Sequence, residues 1–170
     1  MKILGAIIII AASTWAGFEW AKKLSERPKQ LRQLKVALQS LEAEIVYGLT
    51  PLGQACIHLA EQLPKPLAWF FETVNKKLEE GSSSAQEAWD SSLNEIWKFT
   101  AFRQGEMEVM RQLGATIGKH DRDHQQKQLR LALIHLEREE GEAKEEQVKY
   151  EKMIKSLGFL AGILLVILLI

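Results

Sequence analysis

Two apolar runs, one at each end of the chain, constrain this sequence more than any other feature. The first occupies residues 3–21, reads ILGAIIIIAASTWAGFEWA and contains a single charge, Glu19. As a helix it rises roughly 28 Å, close to the thickness of a bilayer's hydrocarbon core. Trp15 and Trp20 suit the membrane interface, where tryptophan is enriched. The run predicts an N-terminal transmembrane anchor over residues 1–22. A cleaved signal peptide is the alternative, which the basic residues that follow disfavour.

The second apolar run, LGFLAGILLVILLI, occupies residues 157–170. As a helix it spans about 21 Å, which is short for a full crossing, but counting from Met153 gives about 27 Å. Lys155 would then extend its ammonium group toward the lipid headgroups. An uninterrupted run that is apolar on every side of a helix is typical of a membrane segment. The sequence therefore predicts a C-terminal transmembrane anchor over residues 157–170.

The charged residues beside the two runs predict how the chain lies across the membrane. Lysine and arginine cluster on the inner side of both runs, whereas Lys2 and the amino terminus are the positive groups beyond the first run. Under the positive-inside rule, this distribution places the middle of the chain in the cytoplasm and both termini across the membrane. We therefore expect a hairpin topology with a cytoplasmic helical domain over residues 23–156.

Both apolar runs contain small residues four positions apart. These pairs are Ser13 with Gly17 and Gly158 with Gly162. Such spacing lets two membrane helices approach closely. The four residues are candidate positions for membrane helix packing, either between the two anchors or between protomers. Ordinary use of small residues in a membrane helix is the alternative interpretation.

The middle of the chain shows helical periodicity throughout. Apolar residues recur at spacings of three and four, as in Leu31, Leu34 and Leu38, and no strand-like alternation with hairpin signals occurs. Because proline is tolerated at the first helical position, Pro28 is expected to open the first cytoplasmic helix, and Gly48 to end it. The predicted fold class is all-α, with a helical bundle of about six helices between an N-terminal and a C-terminal transmembrane helix.

Two local patterns add detail to this prediction. The single cysteine, Cys56, falls on an apolar helix face, which predicts a core position and not a nucleophile. Ser84 is followed by Glu87 at the spacing of a capping box, in which each side chain accepts a backbone N–H of the first helical turn. A helix is therefore expected to begin directly after Ser84.

The last helix is predicted to start near Asp121 or Asp123 and to run continuously into the membrane, with Gly141 as its weakest point. Its inward stripe is thin, because Glu140 and Gln147 occupy two of its positions. The acidic run 137–146 is interpreted either as a solvated surface or as a docking face for a partner. The candidate partner-binding residues are Glu139, Glu140, Glu145 and Glu146.

A histidine and aspartate cluster, GKHDRDHQQ at residues 118–126, is the feature that most suggests chemistry. His120, Asp121 and His124 raise a metal-dependent membrane-anchored hydrolase as the alternative function. Two imidazoles, however, do not complete a zinc site. Aspartates at a helix start accept backbone N–H groups, and Asp123 has capping-box spacing to the glutamine three residues later. We therefore predict no metal, no other cofactor and no catalytic residue.

The charge balance and the missing motifs narrow the functional classes further. The chain has 22 basic and 22 acidic residues and no net formal charge, and it lacks a basic stripe with interleaved aromatics. Both observations argue against nucleic acid as a partner. The stretch GATIGKH lacks the spacing of a phosphate-binding loop, and no nucleophile elbow is present. The sequence predicts a protein that is not an enzyme.

Several segments resemble one family of endospore-forming bacteria, stage III sporulation protein AB. Their order and spacing, together with the two anchors, extend the resemblance over almost the whole chain. The matching segments are SERPKQLRQLKVALQSLEAEIVYGLTPL (25–52), LAEQLPKP (59–66), EAW (87–89), LGATIGKHDRDHQ (113–125) and YEKMIKSLGFLAG (150–162).

The resemblance implies a function. The helical domain of the family is similar to the inner-membrane platform proteins of type II secretion and type IV pilus systems, so the chain is expected to be a platform of the channel between mother cell and forespore. The expected partners are a secretion-type ATPase, other stage III sporulation channel proteins and membrane lipid. A homo-oligomer built on the last helix is a further alternative. The expected location is the outer forespore membrane, with the domain in the mother-cell cytoplasm.

Overall fold

The chain is helical wherever its backbone is described. The structure, a computed structural model, describes residues 24–81, 84–118 and 121–169, with only the backbone at 155–156 and 158–169. These residues include no strand, which confirms the all-α class. The elements are α1 (residues 24–42) with a π-helical turn after it (Ala43–Tyr47), α2 (Leu52–Gln62), α3 (Leu67–Glu79), α4 (Ala85–Ile96) with a 3-10 turn after it (Trp97–Phe99), α5 (Gln104–Gly114) and α6 (Arg122–Leu169).

Helix α1 begins earlier than the sequence predicted. Residues 24–27 are already helical, so Pro28 lies inside the helix and the expectation that it opens the helix was wrong. Tertiary contacts hold the turn before the proline, because Arg27 is buried and pairs with carboxylates of α5 and α6. The other end follows the prediction, since the N–H of Gly48 donates to the carbonyl of Ala43 and the helical run stops there.

The predicted inward faces of the helices meet in one core, in which each helix from α2 to α6 packs on the next. Its aromatic centre is Trp89, whose ring meets those of Phe70 and Phe71 edge to face at centroid distances of 4.8 and 6.2 Å. The indole Nε1 of Trp89 donates to the carbonyl of Met110 at 2.8 Å, so its one polar group is satisfied. Cys56 is fully buried in this core, as its place on an apolar face predicted.

The capping box predicted at Ser84 is present. The hydroxyl of Ser84 accepts from the N–H of Glu87 at 3.2 Å, and the Glu87 carboxylate accepts from the N–H of Ser84 at 2.9 Å. Two backbone donors that the first turn of α4 leaves open are thereby satisfied. The local sequence is sufficient to set the start of this helix.

Helix α6 is one unbroken helix of 48 residues, and Gly141 does not interrupt it. At 1.5 Å per residue it is about 72 Å long, and the prediction of a long continuous last helix is confirmed. Its inward stripe is covered as far as Ala143, which is 2% exposed. Beyond that point Tyr150 and Leu157 are 43% and 60% exposed. The final part of the helix therefore extends past the bundle.

The membrane anchors are not tested by the described residues. No helix among those residues combines the length and the apolar composition that crossing a membrane requires. The N-terminal anchor (1–22), with Ser13 and Gly17, lies outside the described residues. Gly158 and Gly162 are helical residues of α6 whose surroundings are not described. Both anchors and the proposed packing positions stay predictions.

Two glycines provide a matched test of the packing. A Cβ added at Gly114 of α5 would overlap the indole ring of Trp89, whereas one at Gly141 of α6 meets no atom within 4 Å. We expect Gly114→Ala to lower the free energy of unfolding by about 1–3 kcal/mol through overpacking. We expect Gly141→Ala to raise it by about 0.5–1 kcal/mol, because alanine favours the helix. Unfolding followed by circular dichroism measures both, and a neutral Gly114→Ala would contradict the close contact with Trp89.

Candidate functional site

A buried arginine of α1, Arg27, is the centre of a charged cluster. The Nε of Arg27 donates to Glu106 of α5 at 2.8 Å, and its Nη2 lies 2.6 Å from the same carboxylate. The Nη2 also donates to Glu139 of α6 at 2.9 Å. Because the guanidinium is planar and carries five donors, one arginine can bind carboxylates from two helices at once. Arg27 therefore joins α1 to both α5 and α6.

Glu106 is the acidic counterpart of Arg27 and is fully buried. Besides the arginine, it accepts a hydrogen bond from the backbone N–H of Arg103, at 2.7 Å. It thus lies in the first turn of α5, where the positive end of the helix dipole also stabilises a carboxylate. A buried charge is tolerated only when its partners replace water, and Glu106 obtains these partners from α1 and from its own helix.

A second arginine extends the cluster toward the surface. Both terminal nitrogens of Arg103 donate to Glu146 of α6, and Nη1 does so at 2.9 Å. This bidentate hydrogen bonding lowers the pKa of Glu146 below its ordinary value. The Nη1 of Arg27 is 3.8 Å from Glu146 and has no hydrogen-bond partner among the described residues. Two arginines and three glutamates therefore tie α1, α5 and α6 together.

Glu140, which lies between Glu139 and Glu146 on α6, is the centre of a second cluster. Its side chain is 6% exposed and accepts from Arg32 and Lys35 of α1 at 3.2 and 3.1 Å. Lys144, one turn later on α6, is 2.6 Å away. Burial alone would raise the pKa of Glu140, but the hydrogen bonds from Lys144, Lys35 and Arg32 outweigh it and lower the pKa from 4.5 to about 2. Glu140 is ionised at neutral pH despite its burial.

A third group of contacts joins the other end of α1 to the start of α6. Glu42 accepts from Gln126 at 3.1 Å and from Arg130 at 3.4 Å. Gln126 also donates to the hydroxyl of Tyr47. Positions 27, 35 and 42 of α1 thus meet positions 146, 140 and 130 of α6. Because the order is reversed, α1 and α6 are antiparallel. We call these three groups of contacts the α1–α6 clamp.

The clamp brings the two ends of the described domain together. Leu24, the first described residue of α1, and Tyr150 of α6 line the same cavity, which has a volume of about 380 Å³ and is also bordered by Arg27 and Ala101. The first apolar run of the sequence ends three residues before Leu24, and the second begins seven residues after Tyr150. Both runs therefore adjoin the same end of the helical domain.

The four glutamates predicted as partner-binding residues divide into two kinds. Glu139, Glu140 and Glu146 belong to the clamp. Glu145 is exposed and makes no ion pair with the described residues. Sequence reasoning considered a solvated surface or a docking face for this run, and it missed the intramolecular ion pairs. The signal was present, since Glu140 falls on the inward stripe and α1 carries cations on its matching face.

The histidine and aspartate cluster lies at the start of α6. The Asp121 carboxylate accepts from the backbone N–H of His124 at 3.3 Å, so Asp121 is the residue that caps this helix and not Asp123. His124 and Asp123 are exposed, and His120 lies outside the described residues. Within residues 24–81, 84–118 and 121–169, no group of three or more metal-ligating side chains is close enough to hold an ion.

Comparison with known proteins gives one consistent result. The profile of the stage III sporulation protein AB family matches residues 2–170. The chain is 53% identical over 169 residues to stage III sporulation protein AB of Bacillus subtilis (strain 168), a match that covers 99% of each chain. A solved structure of a stage III sporulation protein AB superposes with a TM-score of 0.70 at 48% identity, covering 73% of this chain and 98% of that one.

Removal of the central arginine should destabilise the domain strongly. Arg27→Met leaves Glu106 buried without its main partner, and we expect the free energy of unfolding to fall by about 3–5 kcal/mol. Arg138→Met is the matched control, because the Arg138 side chain is 65% exposed and pairs only with neighbours on its own helix, Glu139 and Glu142. We expect it to change the free energy by about 0.5 kcal/mol or less. The double variant Arg27→Met/Glu106→Met should recover most of the lost free energy of unfolding. Equal decreases in that free energy for Arg27→Met and Arg138→Met would contradict the account.

Glu140 should make stability depend on pH in the acidic range. Its pKa is lowered in the folded chain, so its contribution is fully present above the ordinary pKa of 4.5 and is lost as the pH falls toward about 2. We therefore expect the difference in free energy of unfolding between the wild-type chain and Glu140→Gln to be constant above about pH 5 and to shrink below it. Denaturant unfolding across this range measures it. Glu142→Gln, at a 59% exposed position on the same helix, is the control substitution, and a decrease of the same size for both variants would contradict the account.

Proposed function

Because the chain belongs to the stage III sporulation protein AB family, we propose that it is a non-enzymatic membrane platform of the sporulation channel between mother cell and forespore. In this proposal, the chain is anchored in the outer forespore membrane by its two apolar runs. The helical domain lies in the mother-cell cytoplasm. There it links a secretion-type ATPase to the membrane subunits of the channel.

One observation carries the proposal: Leu24 and Tyr150 line the same cavity. When the first and last helices of a domain leave it at the same end, two anchors can attach the domain to a single membrane in a hairpin topology. Had α1 and α6 been parallel, the two apolar runs would have left opposite ends of the bundle, about as far apart as α1 is long. The antiparallel clamp therefore supports a double anchor in a single membrane.

The buried charges of the domain also support a structural function. Arg27 and Glu106 are both more than nine-tenths buried, and each binds partners from another helix. Such pairs fix the relative positions of helices, because breaking one leaves an uncompensated charge. A platform that transmits force or position from an ATPase to a channel needs this rigidity between its domain and its anchors.

The proposed docking surface is the outward face of α6 within the acidic run. The side chains of Glu137 and Glu142 are 75% and 59% exposed, and Glu145 is exposed as well. The clamp, which includes Glu139, Glu140 and Glu146, holds α6 against α1 on the opposite side of the helix. Exposed charges at an interface mainly steer association and select the partner.

Topology is the first test of the proposal. A thiol introduced by Glu80→Cys, at the exposed end of α3, should react with a membrane-impermeant reagent only after the membrane is permeabilised. The wild-type chain is the control. Its one thiol, Cys56, is fully buried, and burial raises the pKa of that thiol to about 12, so it should not react in the folded chain. The assay uses protoplasts of non-sporulating cells that express the chain in the plasma membrane, where labelling of Glu80→Cys without permeabilisation would place the domain on the other side and exclude a cytoplasmic ATPase as partner.

A second test addresses the docking surface. We expect Glu145→Lys to weaken co-purification with the secretion-type ATPase by a few-fold, because it reverses an exposed charge without breaking the clamp. The melting temperature should not change. The matched control is Glu61→Lys, a charge reversal at another exposed position, on α2, which should leave co-purification intact. Unchanged recovery of the ATPase with Glu145→Lys would remove this surface from the proposal.

A further inference from the structure

Two large aromatic rings lie together on the surface of the domain. Trp69 of α3 is 36% exposed and Phe99 of the 3-10 turn is 54% exposed. Their rings meet edge to face, with centroids 5.8 Å apart. Exposed single apolar residues are common, but a paired tryptophan and phenylalanine form a contiguous apolar surface that tends to mark a contact site.

A lysine accompanies each ring. The Nζ of Lys65 is 5.1 Å from the centroid of Trp69, and the Nζ of Lys98 is 5.0 Å from that of Phe99. At these distances the ammonium groups interact with the ring faces while their remaining donors stay open to solvent. We call Lys65, Trp69, Lys98 and Phe99 the aromatic–lysine patch.

The core next to this patch explains why Phe99 faces outward. Trp97, two residues earlier, turns inward and packs on Phe102 at a centroid distance of 5.3 Å. The hydroxyl and the N–H of Thr100 both donate to the carbonyl of Trp97, which fixes the turn. With Trp97 directed into the core, Phe99 is held on the outside by the backbone of the turn.

The patch lies near the end of the domain where the apolar runs begin. The N–H of Ala101, two residues after Phe99, donates to the Gln30 side chain of α1 at 2.8 Å. Ala101 also borders the cavity shared by Leu24 and Tyr150. Gln30 lies about 9 Å along α1 from Leu24. The headgroup layer of a bilayer leaflet is about 5–7 Å thick, so the patch reaches this layer only when the domain tilts toward the membrane.

From these observations we propose that the aromatic–lysine patch docks on the membrane surface and binds acidic phospholipid headgroups. Tryptophan and phenylalanine suit the boundary between headgroups and acyl chains, and lysine ammonium groups suit the phosphates of anionic lipids. The inference rests on the proposed function in one respect, which is that the apolar runs anchor the chain in a bilayer. The patch then provides a third point of attachment besides the two anchors.

A third point of attachment has a mechanical consequence. Two adjacent anchors act as a hinge that lets the domain tilt relative to the membrane. A further contact away from that hinge fixes the tilt angle. The docked domain would present the outward face of α6 in one orientation. Docking would therefore restrict the direction from which a cytoplasmic partner approaches.

The depth of the patch in a bilayer tests the inference. The full-length chain is reconstituted into vesicles of phosphatidylethanolamine and phosphatidylglycerol, with an environment-sensitive fluorophore on Phe99→Cys, where the dye replaces the aromatic ring. A second chain carries the dye on Lys127→Cys, an exposed position near the far end of α6. Lipids spin-labelled close to the headgroup should quench the dye at position 99 strongly and the dye at position 127 weakly.

The charge of the lipid should set the strength of docking. Changing Lys65 and Lys98 to glutamine should lower the ratio of docked to undocked domain by about fivefold for each lysine. In vesicles of phosphatidylcholine alone, the chain with both lysines unaltered should show the same decrease in the ratio of docked to undocked domain. Circular dichroism of each variant should match that of the wild-type chain.

Three results would overturn the inference in distinguishable ways. If the chain floats with the vesicles but both dyes are quenched equally little, the patch does not dock, while the membrane anchors stand. If the dye at position 99 is shielded from water but not quenched by the lipid label, a second copy of the chain covers the patch. If the chain does not float with the vesicles, the membrane anchoring of the proposed function fails as well.

Discussion

The buried ion pair of Arg27 and Glu106 is the contact on which the rest of the structure depends. An ion pair in a protein interior contributes little net stability compared with an apolar pair, but losing one partner costs about 3–5 kcal/mol. Its effect is therefore to specify which helices meet and in what register. Arg27 lies six residues after the first apolar run and Glu106 in the first turn of α5, so this one pair fixes α1 against a helix turn 79 residues later in the chain. Glu139 and Glu146 extend the constraint to α6.

The antiparallel arrangement of α1 and α6 connects this contact to the proposed function. It places Leu24 beside Tyr150, so the chain segments that lead to both apolar runs leave from one end of the domain. In the proposed function, an ATPase platform needs a domain held firmly with respect to its membrane, and the clamp would hold together the two helices that lead to the anchors. The aromatic–lysine patch lies near the same end and would add a lipid contact to that link.

The sequence was sufficient where local interactions decide the structure. Helical periodicity predicted the all-α class and the buried faces, and the spacing of Ser84 and Glu87 predicted a helix start that the hydrogen bonds confirm. It was insufficient where distant residues decide. Pro28 looked like a helix start because no local signal shows that Arg27 is bound by α5 and α6. Likewise, the glutamates of α6 resembled a solvated run, since two of the three cations that pair with Glu140, Arg32 and Lys35, lie more than one hundred residues earlier in α1.

A distance measurement between spin labels tests the antiparallel clamp most directly. In the full-length chain, labels at Lys29 and Lys149 should be close, because neighbouring helix axes lie about 8–10 Å apart. Labels at Lys29 and Lys127 should be further apart by on the order of 20 Å, because the residues from 127 to 149 span about 33 Å of helix. The distance from Lys29 to Lys149 should be the shorter of the two both in detergent and in a bilayer. Equal distances, or a shorter distance to position 127, would contradict the arrangement from which the double anchor and the platform function are argued.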